Sequence, residues 1–409
     1  MSVIISISPW SSFWSMGNGG GTPLELVGVN CLKKINPLVY HFVEDGIPCD
    51  EGNIPVKVHM QKLNPWTNRI CSHLGRLGQV LLYKANERIW RKYNQDFYTQ
   101  VIADLVRMNI GSVSLVYCST ALLVYCARNL GVVFKCPVVT YFYGTFLAPS
   151  IGIRGDYLKH ASEYLGWTTP VDLRICLDDG TKGLDVARDL KLPLGKFLFQ
   201  PHGLAINILN KRIETTLTKE LISKGKLHVM TASRLSSWKR VDRLLRAIPH
   251  VVKSIKNVQF LVIGDGPEHQ KLENLSKELN ISEWLRFVGP IPQEVVFEFM
   301  RKCDVFVSTN DFSNLSEGMK QAMYLGMCVV ATDTGDTRSL IKDNNTGKLV
   351  PPDNDLALAN TLIQILSEPE TRIRIGSSAK TFIQAREPTE DAVIEERIRV
   401  LSGLIDSYK

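Results

Sequence analysis

An α/β protein with two doubly wound parallel-sheet domains is what this sequence predicts, and three observations carry the prediction. Short apolar runs of strand length alternate with segments of helical period through both halves of the chain. Its 409 residues, 44% hydrophobic and 22% charged, suffice for two domains of about 200 residues, each with its own core. A polar, charged stretch, ILNKRIETTLTKELISKGK (208–226), separates the halves. The expected division is a first domain over 1–205, a second over 206–385 and a final helical segment over 386–409. In open α/β sheets ligands gather at the carboxyl ends of the strands, so two such domains facing each other form a cleft.

In the first half the expected strands are VIISIS (3–8), SLVYCS (114–119), PVVTYFYG (137–144), DLRICLD (172–178) and KFLFQ (196–200). Gly17, Gly19, Gly20 and Gly21 follow the first of these, and their plainest reading is a flexible turn. The charge-free run IGSVSLVYCSTALLVYCA (110–127) reaches the lower length limit of a membrane span. It divides instead into a strand, a Ser-Thr helix start and a helix ending at Arg128–Gly131, which is one βα unit. The N-terminal MSVIISISPW has neither a basic region before its apolar stretch nor a small-residue cleavage site, so a first strand is expected rather than a signal peptide. Asp178 and Asp179 suggest a metal-binding pair, yet adjacent strand residues point to opposite faces. An N-cap for a helix after Gly180 is the better reading, and no metal site is expected.

In the second half the strands are LHVMTAS (227–233), VQFLVIG (258–264), LRFVG (285–289), DVFVST (304–309) and CVVATD (328–333). Val241, Leu244, Leu245 and Ile248 recur at helical spacing after the first, which places Arg234 and Lys239 in a strand-to-helix turn. Free backbone N–H groups and the helix dipole favour negative charge there, and a guanidinium with an ammonium neutralises a diphosphate. Gly264 and Gly266 form a Gly-Asp-Gly-Pro turn after the second strand, where a Cβ would hinder close approach. Glu268 and His269 then break the GxGxxG dinucleotide fingerprint, so no nicotinamide site is expected. Leu272, Leu275 and Leu279 continue as a helix face.

Four segments in this order, TASRLSSWKRVDRLLRA (231–247), FLVIGDGPEHQKLENL (260–275), LRFVGPI (285–291) and STNDFSNLSEGMKQAMYLGMCVVATDTGDTRSLI (308–341), resemble the C-terminal domain of retaining glycosyltransferases with the GT-B fold. This is the family-four, or glycosyl transferases group one, type. The resemblance implies two Rossmann-like domains facing a cleft, with the final helix packing back on the first. It also implies metal-independent, retaining transfer of a sugar from a nucleoside-diphosphate sugar to an acceptor hydroxyl, in polysaccharide or glycolipid assembly. No cofactor is implied beyond the nucleotide sugar itself as co-substrate.

By resemblance, Arg234 and Lys239 are catalytic, stabilising the departing diphosphate, and the acceptor proton passes to the leaving phosphate without a dedicated base. Gly264, Gly266, Phe287 and Val288 line the nucleobase end, and the backbone of Asn314, Leu315 and Ser316 holds phosphate. Gly19, Gly20 and Gly21 resemble the glycine-rich loop that approaches donor and acceptor. Tyr143 and Gly144 border the transferred sugar on the acceptor side. LDDGTKG (177–183) matches a segment in which Asp179–Thr181 starts a helix, and PHGL (201–204) occupies a hinge.

The chain departs from the family where two glutamates usually stand eight residues apart, because here those positions are Ser313 and Gln321. The first glutamate contacts the donor sugar and the second the ribose hydroxyls. Gln321 still accepts and donates, without charge assistance, so weaker donor binding is expected. Asp311 and Glu317 are candidate substitutes, and Glu317 and Gln321 fall on one side of a helix starting near Ser316. A lapsed GT-B scaffold that binds a glycan or partner enzyme stays open on these grounds, as does another GT-B chemistry such as a phosphorylase or epimerase.

Charge bounds the partners. Lys57, Lys62, Arg69, Arg76, Lys84, Arg88, Arg91 and Lys92 face Glu87 alone between residues 55 and 95, an excess that equals the +7 of the whole chain. Leu77, Leu81 and Trp90 interleave with them, a pattern suited to anionic lipid headgroups, with a solvated face over a core helix as the alternative. No nucleic-acid reading motif accompanies the charge. Nine scattered cysteines without a CxxC pair read as buried free thiols. Cytoplasmic residence, peripheral on the inner face of the cell membrane, is the expectation.

Overall fold

The computed structural model describes residues 2–8, 31–44, 53–59, 61, 75–152, 156–311 and 316–409. These residues form two compact units, one combining the chain up to His202 with Ala392–Lys409, the other taking Gly203–Asp391.

In the first unit the strands are β1 (Val3–Ser8), β2 (Val39–Glu44), β3 (Asn53–Val56), β4 (Val113–Cys118), β5 (Val138–Phe142), β6 (Leu173–Leu177) and β7 (Phe197–Gln200). They form a parallel sheet in the order β3-β2-β1-β4-β5-β6-β7. Its apolar runs look continuous because both faces are covered. Val3, Ile5 and Ile7 enter one buried cluster and Ile4 the opposite one, the two-residue period of a strand. The last helix, Glu390–Asp406, sends Leu401 and Ile405 into that second cluster with Leu115 and Tyr141.

The second unit holds β8 (Leu227–Ala232), β9 (Val258–Ile263), β10 (Leu285–Gly289), β11 (Val305–Ser308), β12 (Cys328–Thr332) and β13 (Lys348–Val350). They are parallel in the order β10-β9-β8-β11-β12-β13. Phe260 and Val262 face one core while Leu261 and Ile263 face the other. The chain leaves β7 and returns toward the last helix through one close crossing, where Leu204 bridges Thr389 and a Cβ on Gly203 would lie 2.8 Å from the backbone of Glu390.

Three strands were not expected from sequence. β3 carries Pro55 and lies at a sheet edge, where a missing N–H is tolerated. β13 has three residues, and β2 follows Pro37 too closely to stand out. The βα unit after β4 is present, but its helix, Val124–Phe134, runs past Gly131 and stops where Lys135 turns left-handed. Thr120 caps the preceding turn by accepting from the Leu122 amide at 3.0 Å. The seven described cysteines are buried free thiols, and Cys49 and Cys71 lie outside the described residues. Among the described residues no helix is long and apolar enough to cross a membrane.

Candidate functional site

The strand order of the second unit reverses between β8 and β11, and the crevice outside the carboxyl ends of such a pair is where open α/β sheets hold ligands. Both loops expected to bind anion leave from these two strands. After β8 come Arg234, a single turn over Ser237–Lys239, and the helix Val241–Ser254. After β11 come Thr309, Asn310 and Asp311, then Ser316 and the helix Glu317–Tyr324.

Backbone contacts stitch the β8 loop to the glycine turn after β9. The Leu235 amide donates to the Asp265 carbonyl at 2.9 Å, and the Glu268 amide donates to the Leu235 carbonyl at 2.9 Å. A Cβ on Gly264, whose φ is +120°, would stand 2.1 Å from the Ser233 carbonyl oxygen. One on Gly266 would stand 2.5 Å from that of Leu235. Glycine is therefore demanded at both positions by contact between loops. The Gly264 amide continues the chain of contacts to the Gly289 carbonyl at 2.9 Å, which brings the half-buried Phe287 and Val288 alongside.

His269, not singled out by sequence, stacks on Phe287 at 5.5 Å and meets the Asp265 carboxylate through Nδ1 at 2.7 Å. That hydrogen bond, with one from the Gly266 amide, holds the Asp265 carboxyl below its usual range. The i, i+4 spacing of Asp265 and His269 was the available signal.

Arg234 is exposed and Lys239 half-buried. The Lys239 ammonium lies 4.0 Å from the centre of the Trp238 ring, and no carboxylate among the described residues pairs with it. Burial alone lowers its pKa to about 8.

The helix Glu317–Tyr324 starts close to these groups, since a Cβ on Gly318 would come within 3.2 Å of the Ala232 carbonyl oxygen. Ser316 occupies its N-cap position without a side-chain cap, which leaves the first amides to other partners. Gln321 is half-buried, and its amide has no hydrogen-bond partner among the described residues. Glu317 lies 3.5 Å from the Lys320 ammonium, whose nearer partner is Glu387 at 2.9 Å.

Asp311 does not stand free as a substitute for the missing glutamate. It is bound by Arg240 at 3.1 Å and by the buried Arg243 at 2.6 Å. Ser313, Asn314 and Leu315 lie outside the described residues, as do Gly17, Gly19, Gly20 and Gly21.

In the first unit, two segments singled out by sequence meet. Gly144 has φ +92°, and a Cβ there would lie 2.5 Å from the Asp179 carboxylate and 2.7 Å from the Thr181 hydroxyl. Tyr143, beside it, packs its ring 4.8 Å from that of Tyr141. Asp179 is not a helix cap, because the helix begins at Gly183 behind a left-handed Lys182. Its carboxylate instead accepts from the Thr181 amide and hydroxyl at 3.1 and 2.6 Å, closing a turn of its own.

Residues 213–382 match the family model described as glycosyl transferases group 1. The chain is 33% identical over 138 residues to a phosphatidyl-myo-inositol mannosyltransferase of Mycobacterium leprae, a match covering 33% of this chain and 36% of that one. Such matches span about half or less of the curated relatives' length. Solved structures align over nearly the whole chain. Sucrose-phosphate synthase from Thermosynechococcus elongatus aligns with TM-score 0.72 at 15% identity, covering 99% of this chain and 100% of that one. Anabaena Alr3699/HepE, solved in complex with UDP-glucose, aligns with TM-score 0.65 at 17% identity over 98% and 99%. At these identities the likeness establishes the fold, which is the GT-B arrangement of two Rossmann-like domains.

Proposed function

We infer that this chain, whose residues 213–382 belong to the glycosyl transferases group 1 family, moves a sugar from a nucleoside-diphosphate sugar to an acceptor hydroxyl in glycolipid or polysaccharide assembly. The observation that carries the reading is that the loops at the β8/β11 switch point bring an arginine, a lysine with no carboxylate partner among the described residues, and a helix start that Ser316 does not cap with its side chain. Cations and fixed amide dipoles of this kind stabilise charge that develops on a departing diphosphate. In this reading Arg234 and Lys239 take that charge, so no metal ion is needed, and Gln321 holds the ribose in place of a carboxylate. Transfer proceeds with retention of anomeric configuration, as the family resemblance implies.

The acceptor is a lipid or lipid-linked glycan, a class in keeping with the phosphatidyl-myo-inositol in the name of the M. leprae relative. The helix Gly75–Arg107 supports a peripheral membrane contact, because Leu77, Leu81, Lys84, Arg88 and Lys92 fall at spacings of four, three, four and four residues and all are exposed.

The deciding experiment is a panel of uridine, guanosine and adenosine diphosphate sugars, read by thermal shift and by release of nucleoside diphosphate. One donor is expected to raise the melting temperature with its concentration and to be turned over when acceptor is present. Stabilisation without any release, with every acceptor class offered, would favour the lapsed scaffold that Gln321 motivates. Silence of both readouts across the panel would overturn the assignment.

A further inference from the structure

Between Lys239 and the helix Val241–Ser254 stands Arg240, whose φ of 48° lies in the left-handed region where glycine costs least. Its side chain holds it there. Nε and Nη2 donate to Asp242 at 3.0 and 3.2 Å, while Nη1 donates to Asp311 at 3.1 Å and to Asp353 at 3.2 Å. The buried Arg243 grips Asp311 and Asp353 from the other side and donates to the Thr309 carbonyl at 2.9 Å.

The same residues hold the backbone around Lys239. The Thr309 hydroxyl donates to the Lys239 carbonyl at 3.0 Å, and the Asp311 amide donates to the Trp238 carbonyl at 2.9 Å. Lys239 thus stands on a stretch of chain that is fixed at its own carbonyl, at the residue before and at the residue after. The first two ties lead to the loop that follows β11, and so does the bond from Arg240 to Asp311.

We propose that Arg240 is a positioning residue, clamping the backbone under Lys239 to the β11 loop through Asp311 and to the loop after β13 through Asp353. The proposal rests on the reading of Lys239 as a diphosphate-binding cation. Two effects follow from the geometry. A fixed backbone keeps the ammonium half-buried against Trp238, ready to meet an anion without reorganisation. The guanidinium also offsets carboxylates that would otherwise repel a diphosphate nearby.

Arg240→Gly separates the clamp from simple structural support, since glycine suits the backbone angle while removing the anchor. The first readout needs no ligand: titration of the Lys239 amine, 13C-methylated and followed by NMR in the full chain. The wild-type amine is expected to titrate near 8, and in Arg240→Gly to move up toward the ordinary lysine value as the side chain gains water. The second is affinity for inorganic pyrophosphate at pH 7, expected to fall about tenfold or more in Arg240→Gly and to be partly restored in Arg240→Lys.

Asp311→Asn, a milder change from the other end, is expected to shift both readouts in the same direction. An unchanged Lys239 titration in both Arg240→Gly and Asp311→Asn would overturn the clamp. Failure of the wild type to bind pyrophosphate would instead overturn the anion-binding reading, and the Lys239 titration would still decide the clamp.

Discussion

At the scale of single residues, the site is defined by how two cations are kept. Arg234 is in contact with solvent, whereas Lys239 is half-buried with an aromatic ring as neighbour and no carboxylate in reach among the described residues. Replacing either by alanine is expected to lower kcat/KM about 10²–10³-fold, the scale for removing one group that stabilises developing anionic charge. Lys239 adds a pH signature. In the proposed reading a diphosphate binds the ammonium form, whose pKa burial lowers to about 8 in the free protein. Affinity for a nucleoside diphosphate is therefore expected to be level from pH 7 to 8 and to fall up to about tenfold per unit above it, until the higher pKa of the complex is reached. Calorimetric titration between pH 7 and 10 checks this, and Lys239→Met should remove the slope. The same depressed pKa works against folding: the unfolded chain binds the extra proton between about pH 8 and the ordinary lysine value of 10.5, so stability rises with pH through that window. Lys239→Met is consequently expected to raise unfolding free energy at pH 7 by about 1 kcal/mol, after allowance for partial exposure, as measured in urea.

At the scale of elements, three loops are joined by backbone contacts that leave no room for a methyl group. Gly264→Ala meets the Ser233 carbonyl at 2.1 Å in a positive-φ position, and Gly266→Ala meets that of Leu235 at 2.5 Å. Each should destabilise the second unit by about 2–4 kcal/mol and weaken nucleotide binding, because the loop displaced is the one carrying Arg234. Gly318→Ala, at 3.2 Å from the Ala232 carbonyl, is expected to cost far less. Denaturant unfolding of the three variants ranks these effects, and equal stability of all three would refute the stitching. The elements themselves were largely legible in the sequence. Continuous apolar runs bounded by Gly, Asp and Ser marked β1, β4, β8, β9 and β12, and Val241, Leu244, Leu245 and Ile248 marked the helix face that is buried. What could not be read was tertiary commitment. Asp311 was a plausible substitute for a missing glutamate until Arg240 and Arg243 were seen to hold it, and Asp179 a plausible cap until Thr181 was seen to occupy it. A charge on a loop shows its chemistry in sequence but not its partner.

For the molecule as a whole, charge is concentrated where the fold leaves a helix face uncovered. The excess of eight cations over one carboxylate between residues 55 and 95 equals the net +7 of the chain. Lys62 and Arg69 lie outside the described residues, but Lys84, Arg88, Arg91 and Lys92 stand exposed on the helix Gly75–Arg107. Its far side is core: Trp90, Tyr93, Phe97 and Val101 are buried. Among the described residues Glu87 pairs with Arg91 alone, at 2.8 Å. Leu77 and Leu81, 63% and 43% exposed, extend the stripe toward the start of the helix, where an apolar pair would enter the headgroup boundary. Each exposed cation near an anionic surface contributes about 1 kcal/mol, screened beyond a distance of about 8 Å at physiological salt. Binding to phosphatidylglycerol vesicles is therefore expected at low salt and lost at about 0.5 M. Replacing Lys84, Arg88 and Lys92 by glutamate should abolish it, while thermal stabilisation by nucleotide stays unchanged because no group of the donor site is altered. Vesicle sedimentation measures the first and thermal shift the second. Binding that survives the charge reversal would remove this face from any membrane role, and equal binding to neutral vesicles would assign the contact to Leu77 and Leu81 instead of to charge.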